Sequence, residues 1–180
     1  ANDASRIYAA SNPTFNDTIS GFVNGDGPGV VSGAASLTTT ANIASAIGAY
    51  PITAGVGTLS AANYNFAFQS GTLNVTLAAP VITWNAPASI TYGTPLSVGQ
   101  LNASANVPGS FTYTLADGAT PAAGAVLSAG QNQMLNVIFT PADTTDYRSA
   151  AAQVKINVGP ATLTVTANDA SRAYATSNPT

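Results

Sequence analysis

ANDASRIYAASNPT, residues 1–14, returns as ANDASRAYATSNPT at residues 167–180, with only Ile7 replaced by Ala173 and Ala10 by Thr176. Two copies 166 residues apart make the chain one period of a tandem array together with the start of the next. Repetition at a fixed interval decides architecture before any residue is read for chemistry. This interval exceeds the roughly 20–50 residues of solenoid repeats and suits a unit of two small domains. The chain is therefore expected to be an internal piece of a longer protein, and no signal peptide is read in it.

Composition narrows the class. Charged residues are 6% of the chain, against about 25% in an ordinary soluble domain. There is no Glu, His or Cys, and the cations are Lys155, Arg6, Arg148 and Arg172 alone. Four scattered cations cannot neutralise a run of phosphates, so nucleic acid is excluded as a partner. Solubility must come from Ser, Thr, Asn and the backbone, as in secreted or surface-exposed proteins. Without Cys there are no disulfides and no thiolate metal sites. No apolar run reaches the 18 or so residues of a spanning helix, so no membrane insertion is expected.

Between frequent Gly and Pro, the segments alternate apolar and polar residues with period two and favour Val, Ile, Thr, Tyr and Phe. Such a pattern predicts an all-β chain of many short strands. In LNVTL, Leu73, Val75 and Leu77 point one way; in QVKINV, Val154, Ile156 and Val158 point inward, with Lys155 and Asn157 outward. Strands are expected at 14–22, 30–38, 48–54, 63–69 and 71–77, with a turn at NGDGPG (24–29). Tyr50, Ile52, Tyr64, Phe66 and Phe68 are expected to share the first core. Further strands are expected at 81–84, 89–92, 101–105, 110–115, 133–140 and 152–158. TTTANIASAI (38–47) is allowed one or two helical turns at most. The expected division is residues 1–78 and 79–158, two small antiparallel β modules, with 159–180 beginning the next repeat. Pro80 and Pro160 mark short linkers, which favour an extended, semi-rigid rod.

ATLTVT, residues 161–166, reads as a strand leading into the second ANDASR. Its counterpart before residue 1 is absent, so the first module is expected to lack its opening strand. Unpaired sheet edges are templates for another chain. Residues 161–166 are therefore expected to complete the first module of a neighbouring molecule, head to tail, unless the tail packs on its own second module.

SGFVNGDG (20–27), IGAYPIT (47–53), GTLSAANYNF (57–66) and GTLNVT (71–76) resemble the MBG domain, found in tandem in very large bacterial surface and secreted proteins, often adhesin-like. That family has Gly shortly after the tyrosine of its opening segment; this chain has Tyr8-Ala9-Ala10. ITWNAPASITYGTPLS (82–97), VLSAG (126–130) and IFTPADTTDYRSA (138–150) resemble bacterial Ig-like repeats. The resemblance implies sandwich-type modules, the first alternatively a β-grasp-like sheet with a short helix. It also implies a stalk or adhesin repeat on the cell surface or outside the cell. Asp143 stands four residues before Tyr147, the spacing of an immunoglobulin tyrosine corner, and that structural role is assigned to the pair.

Catalysis finds no residues. Without His or Cys no nucleophile–base triad can be assembled, Lys155 points to solvent, and the Asp residues are spread over turns. No catalytic, cofactor-binding or metal site is assigned. Calcium is the alternative weighed for Asp3, Asp17, Asp26, Asp143, Asp146 and Asp169, with Asn24 beside Asp26, against the turn chemistry that Asp and Asn serve equally well. A Lys–Asn cross-link is rejected, since residues 1–78 contain no Lys. Sequons at Asn16, Asn74 and Asn102 are read as chance. Trp84 is assigned to core or inter-module packing rather than to a sugar platform. An exposed aromatic patch around Trp84, Tyr92 or Tyr113 would favour ligand binding over a plain spacer.

Overall fold

The computed structural model describes residues 1–175 and 177. It is all-β, as the alternation predicts, and among the described residues the only helical element is a single 3-10 turn at Pro28–Val30. The strands are β1 (Ala4–Ile7), β2 (Ser36–Thr39), β3 (Gly48–Gly55), β4 (Gly71–Thr76), β5 (Ile82–Thr83), β6 (Ile90–Thr91), β7 (Ser104–Ala105), β8 (Gly109–Leu115), β9 (Gly130–Pro141) and β10 (Ala150–Gly159).

The N-terminal half forms one mixed sheet in the order β1-β4-β3-β2. Antiparallel pairs join β2 to β3 and β3 to β4, while β1 lies parallel to β4 with Ala4 opposite Leu73. Alternation along β4 buries Leu73 and Val75 and turns Asn74 and Thr76 outward. Ile52, Leu73 and Ala41 are the core, with Phe15, Leu37 and Tyr50 packed against it. Arg6 anchors β1 from inside: it is 7% exposed, and its guanidinium donates to Asn12 Oδ1 (2.8 Å), the Ile7 carbonyl (3.1 Å) and the Asn42 carbonyl. A buried cation is tolerated only when its N–H groups are so occupied.

The C-terminal half packs a four-stranded sheet, β6-β10-β9-β8, with a two-stranded sheet, β5-β7. β9 pairs antiparallel with both β8 and β10; β6 joins β10 in parallel. Leu96, Leu135, Ile156 and Val158 form the core, with Trp84 and Tyr113 against it.

Several expected strands are absent or displaced. Residues 14–22 and 63–69 are not strands, because beyond single bonds from Asn2 N–H to the Asn16 carbonyl and from the Ala1 amine to the Gln69 carbonyl neither pairs with a neighbouring strand. The expected strand at 30–38 shrinks to an isolated bridge, Ser32 with Ser60, followed by β2. β1, short and polar, was not expected. Residues 38–47 hold β2 and a turn rather than any helix, and residues 161–166 lie outside every strand. Pairing is not purely antiparallel, since β1 and β6 each run parallel to their partners. Within the N-terminal half, Tyr64, Phe66 and Phe68 stand apart from the core that holds Ile52. The accessible surface is 11553 Å², against about 8000 Å² for a compact monomer of this mass. The buried side chains are divided between two separate cores, and the tail is exposed.

Candidate functional site

Two places bring together residues distant in sequence: the junction between the halves, and an open cleft at the far end of the first.

At the junction, Ala78 pairs with Tyr147 in an isolated parallel bridge. Ala78 N–H donates to the Asp146 carbonyl (3.0 Å), and Arg148 N–H donates to the Ala78 carbonyl (2.9 Å). The Asp146 carboxylate accepts from Ile47 N–H at 3.2 Å, reaching into the first sheet. The rings of Tyr8 and Tyr147 meet edge to face, centroids 5.4 Å apart with an interplanar angle of 85°, a favoured aromatic geometry. The negative charge of Asp146, then burial, then Tyr147 and Asp143 hold the Tyr8 phenol above its ordinary pKa.

The tyrosine-corner assignment is thereby corrected. Asp143 Oδ1 accepts from Thr145 N–H (2.9 Å) and Asp146 N–H (3.2 Å), shaping an Asx turn. Tyr147 leaves that turn toward the other half and uses its ring rather than its hydroxyl. The DTTDY loop is the joint between the halves.

The cleft measures about 550 Å³ and opens beside Ala1 and Asn2. One wall is residues 17–22 and the other residues 64–69, with Ile19, Phe22, Leu59, Phe66 and Phe68 among its apolar lining. Phe66 and Phe68 stack at 6.5 Å, and Phe22 meets Tyr64 edge to face at 5.8 Å. The Tyr64 hydroxyl donates to Asp26 Oδ2 (2.6 Å) and accepts from Val23 N–H (3.2 Å), fixing the NGDG turn against this wall. Sequence reading missed the cleft because NYNFAF alternates like a strand.

The residues singled out for ligand binding do not converge. Trp84 packs against the core of the C-terminal half; its Nε1–H donates to the Gln100 carbonyl (3.0 Å), and its ring meets Tyr113 at 5.3 Å. The Tyr113 hydroxyl accepts from Ala103 N–H (2.8 Å). Tyr92 is exposed and outside that pair. Asp3 Oδ1 accepts from Thr72 N–H (2.7 Å) beside the start of β1, Asp17 lies in the cleft wall, and Asp169 is in the exposed tail. Among the described residues no three acidic side chains gather as a metal site would require. Nor, among them, is any helix long and apolar enough to cross a membrane.

Residues 1–74 match the profile of the MBG domain (YGX type), the domain that the first half resembles in sequence. MBG domains are repeat modules typical of surface proteins. No curated protein matches the chain.

Proposed function

We propose that the chain is a structural repeat unit of an extracellular bacterial stalk or adhesin, acting as a semi-rigid spacer and performing no catalysis. Its two modules, residues 1–78 and 79–158, the second of bacterial Ig-like type, would add length to a tandem array. The observation that carries this reading is the junction: main-chain bonds on both sides of Ala78, the Asp146–Ile47 bond and the Tyr8–Tyr147 contact resist bending of one module on the other. The 166-residue sequence repeat and the MBG match support the array, and the near-absence of charge limits self-repulsion between copies.

Backbone ¹⁵N relaxation on the chain ending at Pro160 tests it. A semi-rigid spacer requires amides of both modules to fit one anisotropic diffusion tensor. Two independent tensors would overturn the reading. A second role, self-association through residues 161–166, is favoured by the open cleft and its unpaired walls.

A further inference from the structure

We propose that the cleft is the seat of a β-strand, residues 161–166, supplied by a second copy of this chain. The proposal deepens the self-association role and does not depend on the spacer role.

The cleft walls lack strand partners. Among the described residues, no main-chain hydrogen bond pairs residues 17–22 or 64–68 with other main chain. Both walls converge on the first two residues. Asn2 N–H donates to the Asn16 carbonyl (2.9 Å), and the Ala1 amine donates to the Gln69 carbonyl (2.7 Å). A strand continued backward from Ala1 therefore runs between two open edges.

The sequence names that strand. The residues leading into the second ANDASR are ATLTVT, 161–166. In β1 each residue faces the β4 residue 69 positions later, as Ala4 faces Leu73, and the Ala1–Gln69 bond keeps this spacing. Continuing it backward sets Thr166 opposite Gln69, Val165 opposite Phe68 and Leu163 opposite Phe66. Residues paired across neighbouring strands share a face, so Val165 and Leu163 lie on the face of Phe68 and Phe66, which line the cleft, and the three threonines on the other. Leu163 and Val165 are 90% and 94% exposed in the free chain, apolar side chains without a cover. The inserted strand carries no charge, and Asp17 is the one carboxylate lining the cleft.

The chain's own tail cannot be the donor. β4 runs from the cleft toward the junction and β10 from the junction toward the tail, so cleft and tail lie at opposite ends. Six residues reach at most ~20 Å, less than the ~34 Å spanned by a ten-residue strand such as β10 alone. The donated residues 161–166 would lie in line with the acceptor's β1. Such a contact is heterologous and generates open chains or rings.

The chain is free of cysteine, so introduced pairs report cleanly. Oxidation of the Phe68→Cys/Val165→Cys variant at chain concentrations up to about 1 mM should give a disulfide-linked ladder on a non-reducing gel. Tryptic peptides 7–148 and 156–172 should be joined in it. Phe68→Cys/Thr164→Cys, with its second thiol on the opposite face, should give about a tenth of that yield or less. Equal yields, an intrachain disulfide alone, or no interchain disulfide would overturn the proposal. Should Phe68→Cys not fold, Val165→Asp keeps the test open, since its site is exposed. Light scattering across a concentration series should show association at least about tenfold weaker than wild type, and an unchanged mass profile would refute the strand. Relaxation on the chain ending at Pro160 lacks the donor, so either role can fail without the other.

Discussion

If the DTTDY loop is a joint rather than a corner, removing a ring from one half should weaken the other. The perturbation is a double-mutant cycle of Tyr8→Ala and Tyr147→Ala. The centroid separation of 5.4 Å at 85° lies in the edge-to-face range, where aromatic pairs contribute about 0.5–1.5 kcal/mol beyond area burial. The main-chain bonds at Ala78 persist in all four proteins and cancel, so a coupling of about 1 kcal/mol is expected. For domains of roughly 60–100 residues, 1 kcal/mol moves Tm by about 4–8 °C. Trp84, the only tryptophan, sits in the C-terminal half and reports unfolding there by fluorescence; far-UV circular dichroism follows both halves. The less stable half carries the coupling, because it unfolds while its neighbour is still folded. A coupling below about 0.3 kcal/mol in both signals, the usual additivity of independent sites, would show that the rings touch without holding the halves together.

Three further outcomes are expected. Ala9 has φ +60°, at the turn where the MBG resemblance has Gly; Ala9→Gly should stabilise the N-terminal half by about 0.5–1 kcal/mol in urea unfolding. Gly33→Ala should cost about 2–4 kcal/mol in the same assay, because Gly33 has φ +80° and an added Cβ would lie 2.0 Å from the Thr58 carbonyl oxygen. In pH scans, the Tyr64 phenol is raised by its bond to Asp26, so that stabilisation is present below its ordinary value of 10.0 and lost as pH rises through the folded value. Asp117 is lowered chiefly by the Thr120 hydroxyl, so its contribution is present above 3.8 and lost as pH falls through the folded value. Asp26→Asn should shrink the alkaline loss, and Thr120→Ala the acid one.

The strands legible in the sequence are those whose side-chain alternation coincides with a backbone partner. In β4, β9 and β10 the apolar positions face a core and both edges are paired, and β8 is paired with β9 along one edge, so period two is a sufficient signal. TFNDTIS and NYNFAF alternate as well, yet β-propensity describes how side chains fit a pleated surface and says nothing of whether a neighbouring strand exists. β1 failed the opposite way: Ser5 and Arg6 look unlike a strand, and its pairing with β4 depends on residues about 70 positions away. The junction was illegible for the same reason. Asp143 and Tyr147 have a spacing that fits a local corner, and only the fold brings Tyr8 to the ring.

What the two copies of the opening stretch share is what the sheet uses. Asp3, whose carboxylate receives Thr72 N–H, Arg6, which holds Asn12 and the Asn42 carbonyl, and Asn12, which donates to the Ala41 carbonyl, recur in sequence as Asp169, Arg172 and Asn178. The two differing positions are places where the first copy asks little of its side chains: Ile7 is 53% exposed, and Ala10 lies in the turn that follows. A stretch repeated for composition alone would vary without regard to those contacts. The second copy therefore carries the determinants of another β1, and ATLTVT joins it directly. In the tandem array proposed above, a strand shared across the boundary between units, rather than a flexible tether, is the condition that stiffness needs.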